Sequence, residues 1–207
     1  GKDTDVLIDA IGATGIAYGN GTYVLAQLDN PSYSLDGGKT WIKGTGGRIP
    51  TSAKNVRGIS FVPYGDGVFF IVTGSGATTD VVRSVDNGRT WQKPSTLPPE
   101  CGNGAIHYYD DILIMKTFSK DSCYSSDGGE TWELMNDTPI PGNTLVNKDG
   151  FISYTAGYAF TSQDGKTWTE HPLSLNGSLN SRLFIKYVTY HPGSDRYVAI
   201  FQHSPSN

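Results

Sequence analysis

An eight-residue motif recurs four times along the chain and ends each time in tryptophan. Three copies read Ser-x-Asp-x-Gly-x-Thr-Trp, and the fourth lacks the residue between Asp and Gly. Their marker residues are Ser34, Asp36 and Trp41; Ser84, Asp86 and Trp91; Ser125, Asp127 and Trp132; and Ser162, Asp164 and Trp168. All four tryptophans of the 207 residues lie in these copies, and successive motif aspartates are 50, 41 and 37 residues apart. This spacing indicates an array with one structural unit per repeat.

Each motif predicts a tight β-hairpin. Asp-Gly and Asn-Gly favour two-residue turns, because glycine accepts positive φ and Asp or Asn can accept hydrogen bonds from nearby backbone amides. The serine and threonine flank the turn, and the tryptophan supplies a large apolar anchor. We therefore expect each aspartate to accept hydrogen bonds from backbone amides and the four tryptophans to be substantially buried.

A second hairpin pattern precedes each motif, and a fifth copy follows the last motif. The copies lie at 16–25, 59–71, 106–114, 145–152 and 187–200. The second strand of each is almost continuously apolar, as at 68–72, which is typical of strands buried on both faces. Inner strands of a propeller blade, packed between two neighbouring blades, fit that pattern.

The predicted fold is all-β: residues 1–207 form a single β-propeller domain of about five short four-stranded blades. The blades are expected at about 10–43, 55–93, 104–134, 143–170 and 183–207. Five inner hairpins but only four outer ones leave the last blade incomplete. A predicted strand at residues 4–9 could close the ring beside that blade, or a second chain could complete it. The chain could also be part of a larger propeller.

Composition excludes several classes of protein. The net charge of −4 and the scattered Lys and Arg residues argue against nucleic-acid binding. No apolar run approaches the length of a membrane span. The four histidines lack metal-ligand spacing, so we predict no metal and no cofactor. Cys101 and Cys123 form one disulfide if the protein is exported; two free buried thiols are the alternative.

The tryptophan-ending motif resembles the Asp-box, or bacterial neuraminidase repeat, of sialidases, sortilin-type receptors and many secreted proteins. The resemblance implies a sialidase-like β-propeller whose boxes lie at the blade periphery, away from the ligand. It therefore also implies that the four box aspartates are structural. Sialidases clamp a carboxylate with three arginines and use a Tyr–Glu nucleophile pair and an Asp acid/base. Arg48-Ile49-Pro50 resembles their first arginine motif, and Arg57 and Arg182 also lie between blades.

Three features depart from the sialidase pattern. Here Arg-Ile-Pro follows a box instead of preceding the first one, and Gly47 replaces the usual aromatic residue. Sialidases have six blades, and this chain has material for at most five. No Tyr–Glu pair can be assigned, because three of the four glutamates lie in or just after boxes. We therefore predict no catalytic residue.

A secreted binding module is the first functional hypothesis, with lectin-like recognition of a glycan or glycoprotein. The candidate ligand-binding residues lie in loops expected opposite the boxes: Asp29, Arg48, Arg57, Asp80, Asp121 and Arg182. The alternatives are part of a sialidase-like glycoside hydrolase and a protein-binding scaffold.

Overall fold

The computed structural model describes most of the chain. The described residues are 13–27, 30–46, 55–75, 78–117, 121–135, 143–155, 158–172, 174–175, 178–179, 183–191, 193–194 and 196–203. Every element of regular secondary structure within these ranges is a β-strand, which confirms the all-β prediction. The strand predicted at residues 4–9 lies outside the described residues.

The strands form antiparallel sheets in chain order. Sheet 1 contains β1 (Ala13–Gly19), β2 (Thr22–Gln27), β3 (Ser32–Ser34) and β4 (Ile42–Lys43). Sheet 2 contains β5 (Asn55–Val62), β6 (Val68–Ser75) and β7 (Thr78–Ser84). Sheet 3 contains β8 (Cys101–Tyr109), β9 (Ile112–Thr117), β10 (Ser122–Ser125) and β11 (Glu133–Met135). Sheet 4 contains β12 (Asn143–Asn147), β13 (Gly150–Thr155), β14 (Tyr158–Ser162) and β15 (Thr169–Pro172).

Two hairpins follow sheet 4. The first joins β16 (Ser174–Leu175) to β17 (Ser178–Leu179). Asn-Gly stands between these strands in the sequence, and that dipeptide favours a tight hairpin. The second joins β18 (Leu183–His191) to β19 (Arg196–His203). Whether the sheets close into a ring within one chain stays a prediction.

Sheet 2 departs from the four-stranded pattern at its outer edge. Its fourth position is reduced to one bridge, in which Arg83 and Gln92 exchange backbone hydrogen bonds of 2.8 and 2.9 Å. Pro94, Pro98 and Pro99 follow, and proline cannot donate to a ladder. The composition of this connection therefore accounts for the missing strand.

The core lies between the sheets. Strand β6 illustrates the arrangement, because Phe69, Phe70 and Ile71 are all 0% exposed. Phe69 and Ile71 pack with sheet 1, whereas Phe70 and Val72 pack with sheet 3. Side chains alternate between the two faces of a strand, so a continuous apolar run fills both interfaces at once.

A disulfide links Cys101 and Cys123 within sheet 3. Both residues are fully buried, and their Cα atoms are 5.8 Å apart. Cys101 pairs with Thr117 beside a large irregularity in β8, and Cys123 pairs with Met115 on the next strand. The disulfide therefore ties the beginning of β8 to β10 inside the core.

Candidate functional site

The first Asp-box shows how the motif holds its own turn. The Ser34 hydroxyl donates to Asp36 Oδ1 at 2.8 Å and accepts a hydrogen bond from the Gly38 N–H at 2.9 Å. Asp36 also accepts hydrogen bonds from the N–H and the hydroxyl of Thr40, at 2.9 and 2.6 Å. The Trp41 indole N–H donates to the Gly38 carbonyl at 2.9 Å. The polar side-chain groups of Ser34, Asp36, Thr40 and Trp41 are therefore all used inside the turn.

The other three boxes repeat this network. In each, the serine hydroxyl donates to the aspartate, and the indole N–H donates to the glycine carbonyl. The shorter fourth turn keeps the pattern, because Asp164 accepts the backbone N–H groups of Lys166 and Thr167 at 2.9 and 2.7 Å. The fourth turn is therefore one residue shorter, but its aspartate still accepts hydrogen bonds from backbone amides of the turn.

Hydrogen bonding keeps the box aspartates ionised. The Thr40 hydroxyl, followed by the Thr40 N–H and the Ser34 hydroxyl, lowers the pKa of Asp36 from 3.8 to about 2. Partial burial raises the pKa of Asp86, Asp127 and Asp164, but hydrogen bonds within each box outweigh it, and the net pKa is lowered. A carboxylate that accepts several hydrogen bonds is stabilised in its charged form.

The second, third and fourth boxes also pack on the preceding sheet, at a position that we call the box seat. A seat is a cross-strand pair formed by the second and third strands of that sheet. The three occupied seats are Val24–Tyr33, Phe70–Arg83 and Ile114–Tyr124. Glycine is needed where the box touches the seat, because a Cβ on Gly88 would lie 3.0 Å from Val24, and one on Gly129 would lie 2.5 Å from Phe70.

The residue after the box glycine contacts the third-strand member of the seat. Arg89 lies over the Tyr33 ring at 5.7 Å, and Lys166 Nζ lies 3.9 Å from the centroid of Tyr124. At the Phe70–Arg83 seat the positive charge belongs to the seat and the negative charge to the box. There the buried Arg83 guanidinium forms an ion pair with Glu130. Cation–π contacts and a partly buried ion pair thus select the register between neighbouring sheets.

Backbone pairing reinforces this contact. The Trp91 N–H donates to the Thr45 carbonyl at 2.9 Å, and the Thr45 N–H donates to the Arg89 carbonyl at 2.8 Å. Similarly, the Trp132 N–H donates to the Thr96 carbonyl at 2.9 Å. The connection that leaves one sheet therefore pairs in parallel with the box of the next.

Burial of the tryptophans follows the seats. Trp91 and Trp132 are 3% and 2% exposed, as expected. Trp41 and Trp168 are intermediate in exposure, so their burial is less complete than that of the other two. Within the described ranges no sheet precedes β1, which leaves Trp41 without a seat, and Trp168 packs on the small cluster around Ile114 and Phe151.

Three of the predicted ligand-binding residues fall within the described ranges. Arg57 is the third residue of β5, Asp80 is the third residue of β7, and Asp121 immediately precedes β10. Because β7 and β10 run from these ends toward their boxes, Asp80 and Asp121 lie at the sheet ends opposite the box turns. Asp29, Arg48 and Arg182 lie outside the described residues.

Arg57 and Asp80 share the same end of sheet 2. Val56, Thr73 and Asp80 form one row across its three strands, and Arg57 follows at an irregularity in β5. Asp80 forms an ion pair of 2.7 Å with Lys93. Asp121 belongs to sheet 3, where its carbonyl accepts a hydrogen bond of 2.8 Å from the Thr117 hydroxyl. The structure thus brings Arg57 and Asp80 to one end of sheet 2 and Asp121 to the corresponding end of sheet 3.

One titratable pair was missed by the sequence reasoning. Burial, followed by the nearby Lys116 charge, lowers the pKa of His107 to about 4. Burial also lowers the pKa of Lys116. In sheets 1 and 2 the residues at the equivalent register positions are apolar or small. Ala17 and Ser60 correspond to His107, and Ala26 and Val72 correspond to Lys116. The break in that pattern was the available signal.

The described residues contain no group of three or more His, Cys, Asp or Glu side chains that could hold a metal ion. The same residues form no helix with the length and hydrophobicity of a membrane span.

Comparison with known proteins agrees with this architecture. The BNR/Asp-box repeat family matches residues 124–134, which include the third box. No curated protein matches the chain. The solved structures with a similar fold include YCF48 bound to D1 peptide, with a TM-score of 0.59 and 16% identity over 96% of this chain and 64% of that chain. This chain therefore spans less than two thirds of that protein.

Two further structures are similar. YCF48 from Cyanidioschyzon merolae gives a TM-score of 0.58 at 16% identity, over 98% of this chain and 70% of that chain. The extracellular domain of the putative one component system BT4673 from B. thetaiotaomicron gives 0.56 at 9% identity, over 93% and 28%. These identities support a shared fold alone. The chain is an all-β protein with Asp-box repeats, whose four-stranded antiparallel sheets match the blades of the YCF48 propeller.

Proposed function

We propose that the protein is an extracytoplasmic binding module that recognises a glycan or glycoprotein with the sheet ends opposite its Asp-boxes. The observation that carries this proposal is the position of three charged residues. Arg57, Asp80 and Asp121 lie at the sheet ends opposite the box turns, whereas the box side chains hydrogen-bond within their own turns.

The chemistry of this set suits sugars. A guanidinium group can bind the carboxylate of an acidic sugar through two hydrogen bonds, and aspartates accept hydrogen bonds from sugar hydroxyls. Asp29, Arg48 and Arg182 are proposed to complete the surface. The buried disulfide supports an oxidising, extracytoplasmic location, because such bonds rarely persist in a reducing cytosol.

A glycan array with the purified protein tests this proposal. The double variant Arg57→Ala/Asp121→Ala should lose binding to the glycans that the wild type retains. Lys39→Ala/Asp66→Ala is a matched control, because it also removes one positive and one negative charge, from exposed positions at the box side. If the control loses binding equally, or the wild type retains no glycan, the glycan proposal is wrong.

Catalysis is tested on the same preparations. The sialidase-like alternative requires turnover of a fluorogenic sialoside, and we expect none above a blank. Turnover that Arg48→Ala abolishes would replace the binding module with an enzyme.

A protein-binding scaffold is the second candidate, and a specific surface favours it. Ile16 and Tyr18 share one face of β1 and are 54% and 58% exposed, and exposed apolar clusters are typical of protein interfaces. The related solved fold of YCF48 carries a D1 peptide. In this case Ile16→Asp should weaken capture of a protein partner and leave glycan binding unchanged.

A further inference from the structure

Neighbouring sheets meet at a set of four residues that recurs from interface to interface. The earlier sheet contributes one residue from its first strand and one from its second strand, and the later sheet does the same. Between sheets 1 and 2 the set belongs to one apolar cluster and consists of Ala17, Ala26, Ile59 and Ile71. Between sheets 2 and 3 it consists of Ser60, Val72, Ile106 and Met115. We call each set of four an inner quartet.

The inner quartet between sheets 3 and 4 breaks this pattern. By strand register it consists of His107, Lys116, Thr144 and Ser153. Ile114 packs on Phe151 of sheet 4. His107 pairs with Ile114, and Lys116 lies two residues beyond it, so both basic side chains face sheet 4. Positions that are apolar or small in the other two interfaces therefore carry two basic groups and two hydroxyls here.

The two hydroxyl residues face the basic pair from sheet 4. Ser153 shares the face of β13 that packs on sheet 3, and Thr144 is its cross-strand partner. In the interface between sheets 2 and 3, the Ser60 hydroxyl accepts a hydrogen bond of 3.3 Å from the Ile106 N–H. Ser60 and Ile106 correspond in register to His107 and Thr144. His107 therefore lies opposite Thr144 across the interface.

Burial limits the contact of this quartet with water. Ser153 is 0% exposed, and His107 and Lys116 are half-buried. Thr144 Oγ1 is buried and has no hydrogen-bond partner among the described residues. Neither His107 nor Lys116 forms an ion pair with a carboxylate of the described residues. The quartet therefore contains two basic groups and a hydroxyl for which the described part of the chain supplies no acceptor.

We propose that the inner quartet between sheets 3 and 4 binds a small oxyanion, that is, a carboxylate or a sulfate-like group. The Lys116 ammonium and the protonated His107 ring donate hydrogen bonds to such a group, and the Thr144 hydroxyl donates another. A bound anion offsets the cost of holding positive charges away from water. Packing alone does not require these side chains, because apolar or small residues fill the same positions in the other two interfaces. The site is independent of the proposed glycan surface, since a free inorganic anion is enough to test it.

Titration of the full chain with sulfate, in which sulfate replaces chloride at constant ionic strength, tests the proposal. Sulfate should bind saturably by calorimetry and raise the pKa of His107, followed by NMR of its imidazole resonances, because a bound anion stabilises the imidazolium. Lys116→Met should weaken sulfate binding by at least about tenfold, since hydrogen bonds from a charged donor are lost.

Two further variants and a second anion complete the experiment. His107→Gln should also weaken sulfate binding. Lys43→Met is the matched control, because it removes the same charge from an exposed position on sheet 1 and should bind sulfate normally. Acetate in place of sulfate distinguishes a site for a planar carboxylate from one for a tetrahedral anion.

Several outcomes would overturn the proposal. A pKa of His107 that neither anion changes, or equal binding by the wild type and Lys116→Met, would show that the quartet holds no anion. Asp137, in the connection between sheets 3 and 4, lies outside the described residues. Sulfate binding that appears only in Asp137→Asn would show that the chain supplies its own counter-ion. In chloride, Lys116→Met should melt no lower than the wild type, because it removes a partly buried charge, and a clearly lower melting temperature would indicate a structural role for Lys116 instead.

Discussion

Lys166 Nζ of the fourth box lies 3.9 Å from the ring centroid of Tyr124 in the preceding sheet. Lys166 also forms a 2.9 Å ion pair with Glu133, so one side chain contacts two strands of its neighbour. The equivalent box residues in the second and third boxes are Arg89 and Glu130, and each contacts its own seat. Adjacent sheets are therefore matched by a variable residue inside an otherwise regular motif.

Truncation of the box tryptophans should have unequal effects. Trp132→Ala should lower the free energy of unfolding by about 3–5 kcal/mol, because it leaves a large cavity in the core. Trp41→Ala removes the same atoms from a half-buried position and should cost clearly less. Urea denaturation of the two variants measures the difference. Equal losses would show that the seat contributes little to the burial energy.

Loss of a box carboxylate should lower the free energy of unfolding at pH values above the pKa of that carboxylate. Asp127→Asn removes the charge from a group that accepts hydrogen bonds from Ser125 and Thr131, and should destabilise the protein by about 1.5–3 kcal/mol at pH 7. The folded pKa of Asp127 is lowered, so its contribution is present above the ordinary value of 3.8 and disappears at more acidic pH. The gap between wild type and variant should therefore close below pH 3.8. Ser126→Ala, at a variable and exposed motif position, serves as the control.

His107 should make the stability depend on pH in a milder range. Burial, followed by Lys116, lowers its pKa to about 4, so the folded state binds fewer protons than the unfolded state. The stabilisation is complete above pH 6.5 and is lost as the pH falls toward 4. We expect His107→Gln to remove about 2 kcal/mol of this pH dependence, less than the full shift implies because the ring is partly exposed. His171→Gln is the control, and an unchanged slope for His107→Gln would contradict the prediction.

The Arg83–Glu130 ion pair should be costly to break from one side. Glu130→Gln leaves the Arg83 guanidinium, whose side chain is 10% exposed, beside an uncharged partner. Because a desolvated charge without its counter-ion is destabilising, we expect a loss of about 1–3 kcal/mol. Glu133→Gln, at a more exposed pair, should cost less than about 1 kcal/mol. Thermal denaturation of both variants tests this order.

The disulfide should contribute to stability through the unfolded chain. It closes a segment with a sequence separation of 22 residues, for which chain entropy predicts about 3 kcal/mol. Cys101→Ala/Cys123→Ala should therefore unfold at lower urea concentration than the oxidised wild type. An unchanged midpoint would indicate that the two thiols are already close in the unfolded state.

The sequence predicted the elements that depend on local chemistry. The box hairpins follow from Asp-Gly and Asn-Gly turns, and the inner hairpins follow from their apolar runs, because both signals lie within about a dozen residues. The contacts between Arg83 and Glu130, or between Lys166 and Tyr124, join residues 47 and 42 positions apart. The motif pattern leaves those positions variable, so no local rule could pair them.

Burial of individual tryptophans could not be read from the motif either. Trp41 and Trp91 occupy the same motif position, yet only Trp91 has a described sheet to pack on. Similarly, β16 and β17 were not predicted, because strands of two residues carry too short a pattern. The six proposed ligand-binding residues were chosen only because they lie in loops expected opposite the boxes. Their joint role remains a prediction.

Packing of each box on the sheet before it sets a schedule for synthesis. Three apolar residues are covered only after a later tryptophan has been synthesised. Trp91 covers Val24, Trp132 covers Phe70 and Trp168 covers Ile114, and these tryptophans lie 67, 62 and 54 residues further along the chain. At about 5–20 residues per second, each apolar row stays uncovered on the nascent chain for about 3–13 seconds. During that interval the uncovered apolar surface of a sheet is open to mispairing with other chains.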